Sequence, residues 1–431
     1  MKSKNKIYSF MLMGFAALTG LGLTSCVDQP DAYEVADGTP TIDYIRLSDV
    51  TKKDSMLTGA HLGENICIVG NNLRSIKRLY FNDQPAILNT SFITDHTLLV
   101  DVPDGISDHP TDKIYMVNNN NDTTSYDFKT LVPQPVVSSL NNEYAKDGDV
   151  VTLKGDYLLT YDDAPLKITF PGNVPVTDFK SISRGSVTFT VPEGAQKGIV
   201  TVESKYGKSN SSFYFRDDRC LLFDFDGSHK NALASGHGWR NGVIVDSKDG
   251  IQPLDGKFLY FGGAAISYSA TDEDHFSINY WPEPSAGYPE LKTLIPWNDP
   301  NNLELKFEVN VPNDWTAGSM DIIFTSNDQV TYTKATNSYI WAADAPRALW
   351  TPWYNNGTAV AYKTSGWQTV SIPLTDFIYD QNGNKIANGA PKIDDMTGLS
   401  IIVMGGPYKD LAGENNSPAI AVDNIRICPI K

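Results

Sequence analysis

The chain has 431 residues, of which 41% are hydrophobic and 20% charged, a composition typical of folded globular modules rather than of disordered chains. Its length predicts about two or three domains. Asp and Glu total 51 against 35 Lys and Arg, so the formal net charge is −16. This charge would repel a phosphate backbone and therefore argues against a nucleic-acid partner.

The N-terminus has the features of an export signal. Three lysines precede a short apolar segment, FMLMGFAALTGLGL, which is too short to span a bilayer comfortably. LTSC at 23–26 then resembles the bacterial lipobox, in which small residues precede a cysteine that receives diacylglycerol. An ordinary secretory signal with an incidental cysteine is the alternative. The sequence predicts a signal peptide at 1–25, lipidation of Cys26 and a polar tether over 26–38.

An internal repeat follows the tether. GENICIVGNNL at 63–73 matches GDVVTLKGDYL at 148–158, and HTLLVDVPDG at 96–105 matches GSVTFTVPEG at 185–194. These segments alternate with the period of two that is typical of strands, and turn residues separate them. Units of roughly 90 residues with several short strands and no helical periodicity predict small immunoglobulin-like sandwiches. The predicted units are 39–132 and 133–217.

The composition changes in the last predicted domain, 218–431, which contains all eight tryptophans. Its clearest patterns are again strands: NLELKFEVNVP, WQTVSIPLTDF, GLSIIVMGG and AIAVDNIRI. In the first of these, Leu305 and Phe307 belong to an apolar face, and Lys306 to a charged one. Strands spaced in this way predict a two-sheet sandwich of the jelly-roll type, so that the whole chain is expected to be all-β.

The three cysteines after Cys26 do not have the spacing of a metal site. Cys220 and Cys428 lie near the two ends of the last predicted domain, and outside the cytoplasm they could form a disulfide. Buried thiols are the alternative, and the sequence does not decide between them.

The common catalytic motifs are absent from the sequence: there is no H-E-x-x-H, G-x-S-x-G, P-loop or G-x-G-x-x-G. DQNGNKIANG at 380–389 begins like a calcium loop but has Lys385 where the loop needs glycine, which favours a hairpin turn. Asp224, Asp226 and Asp423 are weak candidates for a calcium ion, and we predict neither a metal nor a cofactor. A glycosidase needs only two placed carboxylates, which sequence patterns do not reveal.

Aromatic residues in loops suggest a different chemistry. A pyranose ring has an apolar C–H face rimmed by hydroxyls, so a sugar site combines flat aromatic faces with amides and carboxylates. Several aromatic residues here are flanked by Pro, Asn and Gly, so the sequence pattern does not assign them to the buried face of a strand or helix. Such residues are expected in loops, and loops often carry binding function. Core packing is the competing explanation for each one. The predicted glycan-binding residues are Trp281, Trp297, Trp341, Trp350, Trp353 and Tyr354.

Two family resemblances extend this interpretation. The pattern of Gly, alternating strand and G-x-N-L turn is similar to IPT/TIG domains over about 39–217. LLFDFDG, LELKFEVNVPNDWTAGSMDIIF, SGWQTVSIPLTDF and AVDNIRI, within 218–431, resemble the C-terminal domain of the surface glycan-binding protein B class, lipoproteins of Bacteroidetes polysaccharide-utilisation loci. The resemblance implies display on the outer membrane and binding of a β-glucan such as xyloglucan or mixed-linkage β-glucan. It also implies, as partners, a SusD-like protein and a TonB-dependent transporter.

The sequence thus predicts a non-catalytic, lipid-anchored, surface-exposed polysaccharide receptor. Two alternatives remain open. A surface glycanase with a jelly-roll catalytic domain would place two carboxylates across a cleft. An adhesion or assembly protein would present a contiguous apolar patch without a polar rim.

Overall fold

The computed structural model describes residues 36–227, 243–266, 273–280, 282–326, 346–408 and 416–430. Strands dominate these residues, so the prediction of an all-β fold is confirmed. The chain divides into two compact units, Met1–Val132 and Pro133–Lys431. In the described ranges, no helix is both long and apolar enough to cross a membrane. The helical segments are α1 (Glu273–Phe276) and the 3₁₀ turns Val50–Lys52, Leu73–Ser75, Thr90–Phe92, Pro284–Ala286, Leu291–Leu294, Pro300–Asn302, Leu374–Asp376 and Ile393–Asp395.

The first unit contains one sandwich, which we call the first sandwich. Its strands are β1 (Thr41–Leu47), β2 (Gly59–His61), β3 (Asn65–Asn71), β4 (Ile76–Phe81), β5 (Gln84–Pro85), β6 (Thr97–Asp101), β7 (Lys113–Asn118), β8 (Thr123–Asp127) and β9 (Lys129–Leu131). They form the sheets β1-β3-β6 and β5-β4-β7-β8 and the parallel pair β2-β9. Alternate residues of the strands bury one core, which includes Ile68, Leu79 and Ile114.

The second sandwich begins the second unit. Its strands are β10 (Val136–Leu140), β11 (Val150–Asp156), β12 (Lys167–Phe170), β13 (Val174–Pro175), β14 (Phe179–Ile182), β15 (Ser186–Thr190), β16 (Gly198–Ser204) and β17 (Gly207–Phe215). Two four-stranded sheets result, β10-β11-β15-β14 and β13-β12-β16-β17. Phe170, Phe189 and Phe215 pack edge-on in the core between these sheets.

The sequence repeat corresponds to a structural one. β3 lies between β1 and β6, just as β11 lies between β10 and β15. A Cβ atom added to Gly70 would lie 1.9 Å from the carbonyl oxygen of Thr41, and one added to Gly155 would lie 1.9 Å from that of Val136. Both glycines are therefore required by close approach of the preceding strand, which is bulged at this point in each sandwich.

The third sandwich completes the second unit. Its strands are β18 (Leu221–Phe223), β19 (Val243–Val245), β20 (Phe258–Phe261), β21 (Ser277–Tyr280), β22 (Leu303–Asn310), β23 (Ser319–Thr325), β24 (Ala348–Trp350), β25 (Tyr354–Asn355), β26 (Thr358–Ala359), β27 (Gln368–Pro373), β28 (Gly398–Met404) and β29 (Ile420–Pro429). One sheet has the order β19-β20-β29-β22-β27, with β18 also paired to β29. The other has the order β21-β28-β23-β24, and β25 and β26 form a hairpin. A single large core joins the two sheets.

The charged face of β22 is buried, because the loop after β10 covers it. Glu143 in that loop contacts Lys306 of β22 and Arg426 of β29 through side-chain ion pairs at 2.8 and 2.9 Å. Arg426 also pairs with Glu308 at 2.7 Å, and the backbone N–H of Thr369 donates to the carbonyl of Asn141. The second and third sandwiches are thus joined by a buried network of charges and hydrogen bonds.

Cys67, Cys220 and Cys428 are buried and have free thiols in this structure. The Cys220 thiol donates to the carbonyl of Leu294 and the Cys428 thiol to the carboxylate of Asp217. Of the two arrangements that the sequence leaves open, the structure therefore has buried thiols.

Candidate functional site

The candidate site is a cleft of about 390 Å³ in the third sandwich. Its walls come from β24 and the segment that follows it, from the end of β27, and from the turns after β27 and β28. The lining residues are Ala348, Leu349, Trp350, Thr351, Tyr354, Ser371, Ile372, Pro373, Asp376, Tyr379, Gly383, Pro407 and Tyr408. The cleft therefore combines four aromatic rings with hydroxyls and a carboxylate, which is the composition that a sugar site needs.

Trp350 forms one wall and is half-buried. It ends β24, which pairs with β23 at Met320. Its ring makes edge-to-face contacts with Phe307, Trp315 and Tyr362, with centroid separations of 5.5 to 5.6 Å. These contacts fix the orientation of the indole, and the part of the ring that remains accessible faces the cleft.

Trp353 lies in the core, and the prediction that it presents an exposed face was wrong. Its side chain is 0% exposed, and its indole N–H donates to the carbonyl of Gly318 at 2.7 Å. The chain turns inward after Pro352 and then enters the β25–β26 hairpin. Asn356 and Gly357, both with positive φ, close this hairpin as expected for a two-residue turn. Tyr354, in the first strand of this hairpin, lines the cleft.

Tyr354 and Tyr408 stack face to face. Their ring centroids are 3.7 Å apart, and the ring planes differ by 5°. Tyr379 lines the same cleft. Burial and the neighbouring phenols of Tyr354 and Tyr379 raise the pKa of Tyr408 above its ordinary value. Tyr408 is 40% exposed, so the pair presents a flat aromatic surface to solvent.

The backbone of Tyr408 is strained. Its φ of 68° lies in the left-handed region, which is costly for a bulky side chain and which glycine adopts freely. Such outliers concentrate at sites of function. The strain places the ring over Tyr354, at the end of the turn that follows β28.

Polar groups surround the aromatic surface. Ser371 and Asp376 are exposed, and the Thr351 hydroxyl is hydrogen-bonded to that of Ser319. Among the described residues that line the cleft, Asp376 is the only carboxylate. Retaining and inverting glycosidases generally use a pair of carboxylates, whereas the described lining of the cleft contributes one.

A buried ion pair supports the cleft from behind. Arg347, just before β24, contacts Asp321 of β23 at 3.1 Å, and both side chains are fully buried. Burial raises the pKa of Asp321 to about 7, although Arg347 acts in the opposite direction. Backbone hydrogen bonds between Arg347 and Tyr379 tie the turn after β27 to β24. The wall that carries Tyr379 is therefore fixed to the strand that carries Trp350.

The other predicted site residues lie elsewhere. Trp297 is half-buried against the core, with the guanidinium of Arg219 5.7 Å from its ring centre, and it does not line the cleft. Trp281, Trp341 and Cys26 are outside the described residues. Of the six predicted aromatic residues, the cleft brings together Trp350 and Tyr354.

Tyr379 and Tyr408 line the cleft but are not among the residues predicted from the sequence. Each follows a clearly patterned strand and lies beside a Gly-containing turn, FIYDQNG and GGPY. This position, an aromatic residue in a turn directly after a strand, is the signal that could have identified them. No group of three or more His, Cys, Asp or Glu side chains in the described ranges is arranged to hold a metal ion.

Two small sandwiches followed by a larger one that carries an aromatic cleft define a modular β-sandwich protein with a candidate binding site. The comparisons with known proteins identify its family. The family described as "Surface glycan-binding protein B xyloglucan binding domain" matches residues 215–429. The crystal structure of a surface glycan-binding protein B from Prevotella bryantii is 39% identical, with a TM-score of 0.80 over 92% of this chain and 100% of that one. The chain therefore belongs to the surface glycan-binding protein B family, and the predicted glycan-binding role is confirmed at the level of the family.

The chain is also similar to two more distant proteins. An IPT/TIG domain-containing protein of Bacteroides ovatus is 29% identical over 207 residues, which are 44% of this chain and 41% of that relative's length. A family member from a xyloglucan utilization locus of Bacteroides uniformis is 17% identical over 91% of this chain and 100% of that one, with a TM-score of 0.47. The second likeness is too low to bear on the site.

Proposed function

We propose that this protein is a non-catalytic receptor that holds a β-glucan, such as xyloglucan or mixed-linkage β-glucan, at the cell surface. The observation that carries the proposal is the cleft in which Trp350 and the stacked pair Tyr354–Tyr408 are surrounded by hydroxyls and one carboxylate. The sugar rings would stack on these aromatic faces, and Ser371, Asp376 and Tyr379 would hydrogen-bond their hydroxyls. Solved structures of one related protein with a xylogluco-oligosaccharide and of another with a mixed-linkage heptasaccharide suggest the class of ligand.

The remaining parts of the chain fit this role. We propose a signal peptide at 1–25, a lipid anchor at Cys26 with a tether at 26–38, spacers at 39–132 and 133–217, and a glycan-binding domain at 218–431. The lipid would hold the protein in the outer membrane, beside a SusD-like protein and a TonB-dependent transporter. Trp297, Trp281 and Trp341 remain predicted additional contacts.

Native affinity electrophoresis tests the proposal. Residues 27–431, which lack the signal peptide and the cysteine proposed to carry the lipid, are run through gels that contain xyloglucan, mixed-linkage β-glucan, mannan, xylan or starch. We expect strong retardation by one β-glucan, a weaker effect in Tyr354→Ala, and no release of reducing ends. Tyr206→Ala is the matched control, because Tyr206 also belongs to an aromatic pair, with Tyr161, but lies in the second sandwich.

Unchanged mobility of the wild-type protein across the whole panel would refute the proposal and would favour the adhesion alternative. Release of reducing ends from the retained glucan would instead favour the glycanase. Retardation that Tyr354→Ala and Tyr206→Ala reduce equally would leave the receptor role intact but would refute this cleft as its site.

A further inference from the structure

A second cleft, of about 300 Å³, lies where the second and third sandwiches meet. We call it the junction cleft. It is lined by Asn141, Asn142, Lys146, Asp149, Val150 and Val151 of the second sandwich and by Gln252, Pro253, Leu254, Ser365, Gly366 and Trp367 of the third. None of these residues lines the first cleft.

The aromatic wall of the junction cleft is Trp367, which immediately precedes β27. Its indole N–H donates to the carbonyl of Gln252 at 2.7 Å, and its ring packs edge-on against Phe258 with centroids 5.5 Å apart. The indole is half-buried, so part of it stays accessible to the cleft. A tryptophan whose orientation is fixed on two sides loses little conformational freedom when a ligand stacks on it.

The opposite wall is mixed. Val150, at the start of β11, is 56% exposed, which is unusual for a valine in a strand and leaves an apolar face open. Beside it, the exposed residues Lys146 and Asp149 are linked by a hydrogen bond from the Lys146 N–H to the Asp149 carboxylate. Ser365 and Gln252 are exposed on the other wall. The junction cleft therefore offers an apolar surface with hydrogen-bonding groups at its rim, the same chemistry as the first cleft.

The junction itself holds the two walls together. Thr369 of β27 donates its backbone N–H to Asn141, and its hydroxyl accepts from the backbone N–H of Glu143. Glu143 is in turn paired with Lys306 and Arg426. Because the ion pairs of Glu143 are buried and the hydrogen bonds of Thr369 link the two walls directly, the junction cleft exists before any ligand arrives.

The two clefts lie toward opposite ends of the same strand. Trp367 stands just before β27, and Ser371 near its end lines the first cleft, a separation of four residues, or about 13 Å along a strand. The contact of Thr369 with Asn141 lies between them. One sugar ring cannot occupy both clefts, whereas two segments of one polysaccharide can.

We propose that the junction cleft is a second contact site for a neutral β-linked glucan, with Trp367 as its stacking surface. This inference rests on the proposed function of the first cleft. Two weak sites that bind one polymer raise its apparent affinity without any new contact, because the second binding event is intramolecular. A short oligosaccharide would gain much less from the second site.

Val150→Arg tests the proposal, because it fills the junction cleft from an exposed position. Val136→Arg is the matched control, since Val136 is an exposed valine of the same sandwich that lines neither cleft. The binding of xyloglucan and mixed-linkage β-glucan polymers, and of their oligosaccharides, to residues 27–431 is measured by calorimetry. Trp367→Phe, which keeps an aromatic ring against Phe258, is the second variant.

We expect Val150→Arg to weaken binding of the retained polymer about 3- to 10-fold, as the loss of one aromatic stacking contact would, and Val136→Arg to have no effect. Trp367→Phe should weaken it in the same direction. The double variant Tyr354→Ala, Tyr408→Ala should keep some polymer binding through the junction cleft. Adding Val150→Arg to this double variant should abolish that residual binding.

If Val150→Arg binds the polymer as tightly as the wild type does, while Tyr354→Ala still weakens binding, this inference is overturned and the proposed function stands. A wild-type protein that binds none of the glucans would overturn the proposed function and this inference together. An equal loss of polymer affinity in Val150→Arg and Val136→Arg would mean that the added charge or a loss of stability causes the effect, and would also overturn the inference.

Discussion

Glu143 of the second sandwich accepts a hydrogen bond from the guanidinium of Arg426, in the last strand of the third, at 2.9 Å. Both side chains are buried, and the same carboxylate also binds Lys306 at 2.8 Å. Removing one partner of a buried network leaves the other charges without compensation, which typically costs several kcal/mol. The Glu143 side chain is thus one of the contacts that join the third sandwich to the second.

We therefore expect Glu143→Ala to lower the free energy of unfolding of the second unit by about 3–5 kcal/mol. Glu203→Ala is the control, because Glu203 forms an exposed pair with Lys167 at 3.3 Å, and such pairs contribute about 0–1 kcal/mol. Urea denaturation of both variants measures the difference. Similar losses in the two variants would contradict the assignment of the junction network as a stabilising contact.

Tyr408→Gly should lower glucan affinity while leaving stability nearly unchanged. Glycine adopts the φ of 68° without strain, a gain of about 1–2 kcal/mol, but the greater freedom of glycine in the unfolded chain and the lost stack on Tyr354 offset that gain by a similar amount. Loss of the ring removes the stack on Tyr354, so glucan affinity should fall about 3- to 10-fold. Thermal denaturation and calorimetry measure the two effects.

Tyr157→Gly is the control for that experiment. Tyr157 also has a positive φ, of 54°, but it lies in the second sandwich, outside the first cleft. We expect glucan affinity to be unchanged in this variant. If Tyr408→Gly also left affinity unchanged, Tyr408 would not belong to the binding surface.

Trp353→Ala should act on stability. The side chain is fully buried and its N–H is bonded to Gly318, so truncation leaves a large cavity and an unsatisfied carbonyl. We expect a loss of about 3–5 kcal/mol, measured by urea denaturation. At a temperature where the variant is folded, its glucan affinity should match that of the wild type. A selective loss of affinity without a loss of stability would restore Trp353 as a contact residue.

The stability of the second unit should decrease as pH rises toward alkaline values. Burial, reinforced by the nearby carboxylates Asp255, Glu308 and Asp226, raises the pKa of Asp423 from 3.8 to about 9. Between these values the folded form keeps a proton that the unfolded form has released, so this group's contribution to stability is present below pH 4 and is lost progressively up to about pH 9.

Asp423→Asn removes the titrating proton, so the decrease with pH should be smaller in this variant. Urea denaturation at pH 5, 7 and 9, with EDTA present, compares it with the wild type. If the free energy of unfolding changes with pH equally in the two proteins, Asp423 does not titrate in this range. If the wild-type protein shows the decrease with EDTA but not without it, a bound cation keeps Asp423 ionised.

The three described cysteines should react slowly in the native protein. Burial raises the pKa of Cys220 to about 12 and raises that of Cys428 and Cys67 above the ordinary value, so thiolate is scarce and inaccessible. For residues 27–431, a thiol-specific reagent should label none of them in buffer and all three in urea. If only one of the three thiols were labelled in urea, the other two would form a disulfide.

The sequence by itself determined the local structure of this protein. The glycine that begins each G-x-x-L segment, Gly70 or Gly155, marks the same close approach of two strands in both small sandwiches. The alternation in β22 predicted its apolar face correctly, because Leu305 and Phe307 are in the core. These features depend on neighbours in the chain or on a two-residue period, which a sequence displays directly.

Tertiary structure decided which side chains are accessible. Lys306 belongs to a charged face by pattern, yet the second sandwich covers it. Trp350 and Trp353 have similar flanking residues, but one faces the cleft and the other fills the core, because the chain turns between them. Tyr408 reaches Tyr354 from a different turn, far along the chain. Burial and ring stacking are set by which surfaces meet in space, and local sequence carries no record of that.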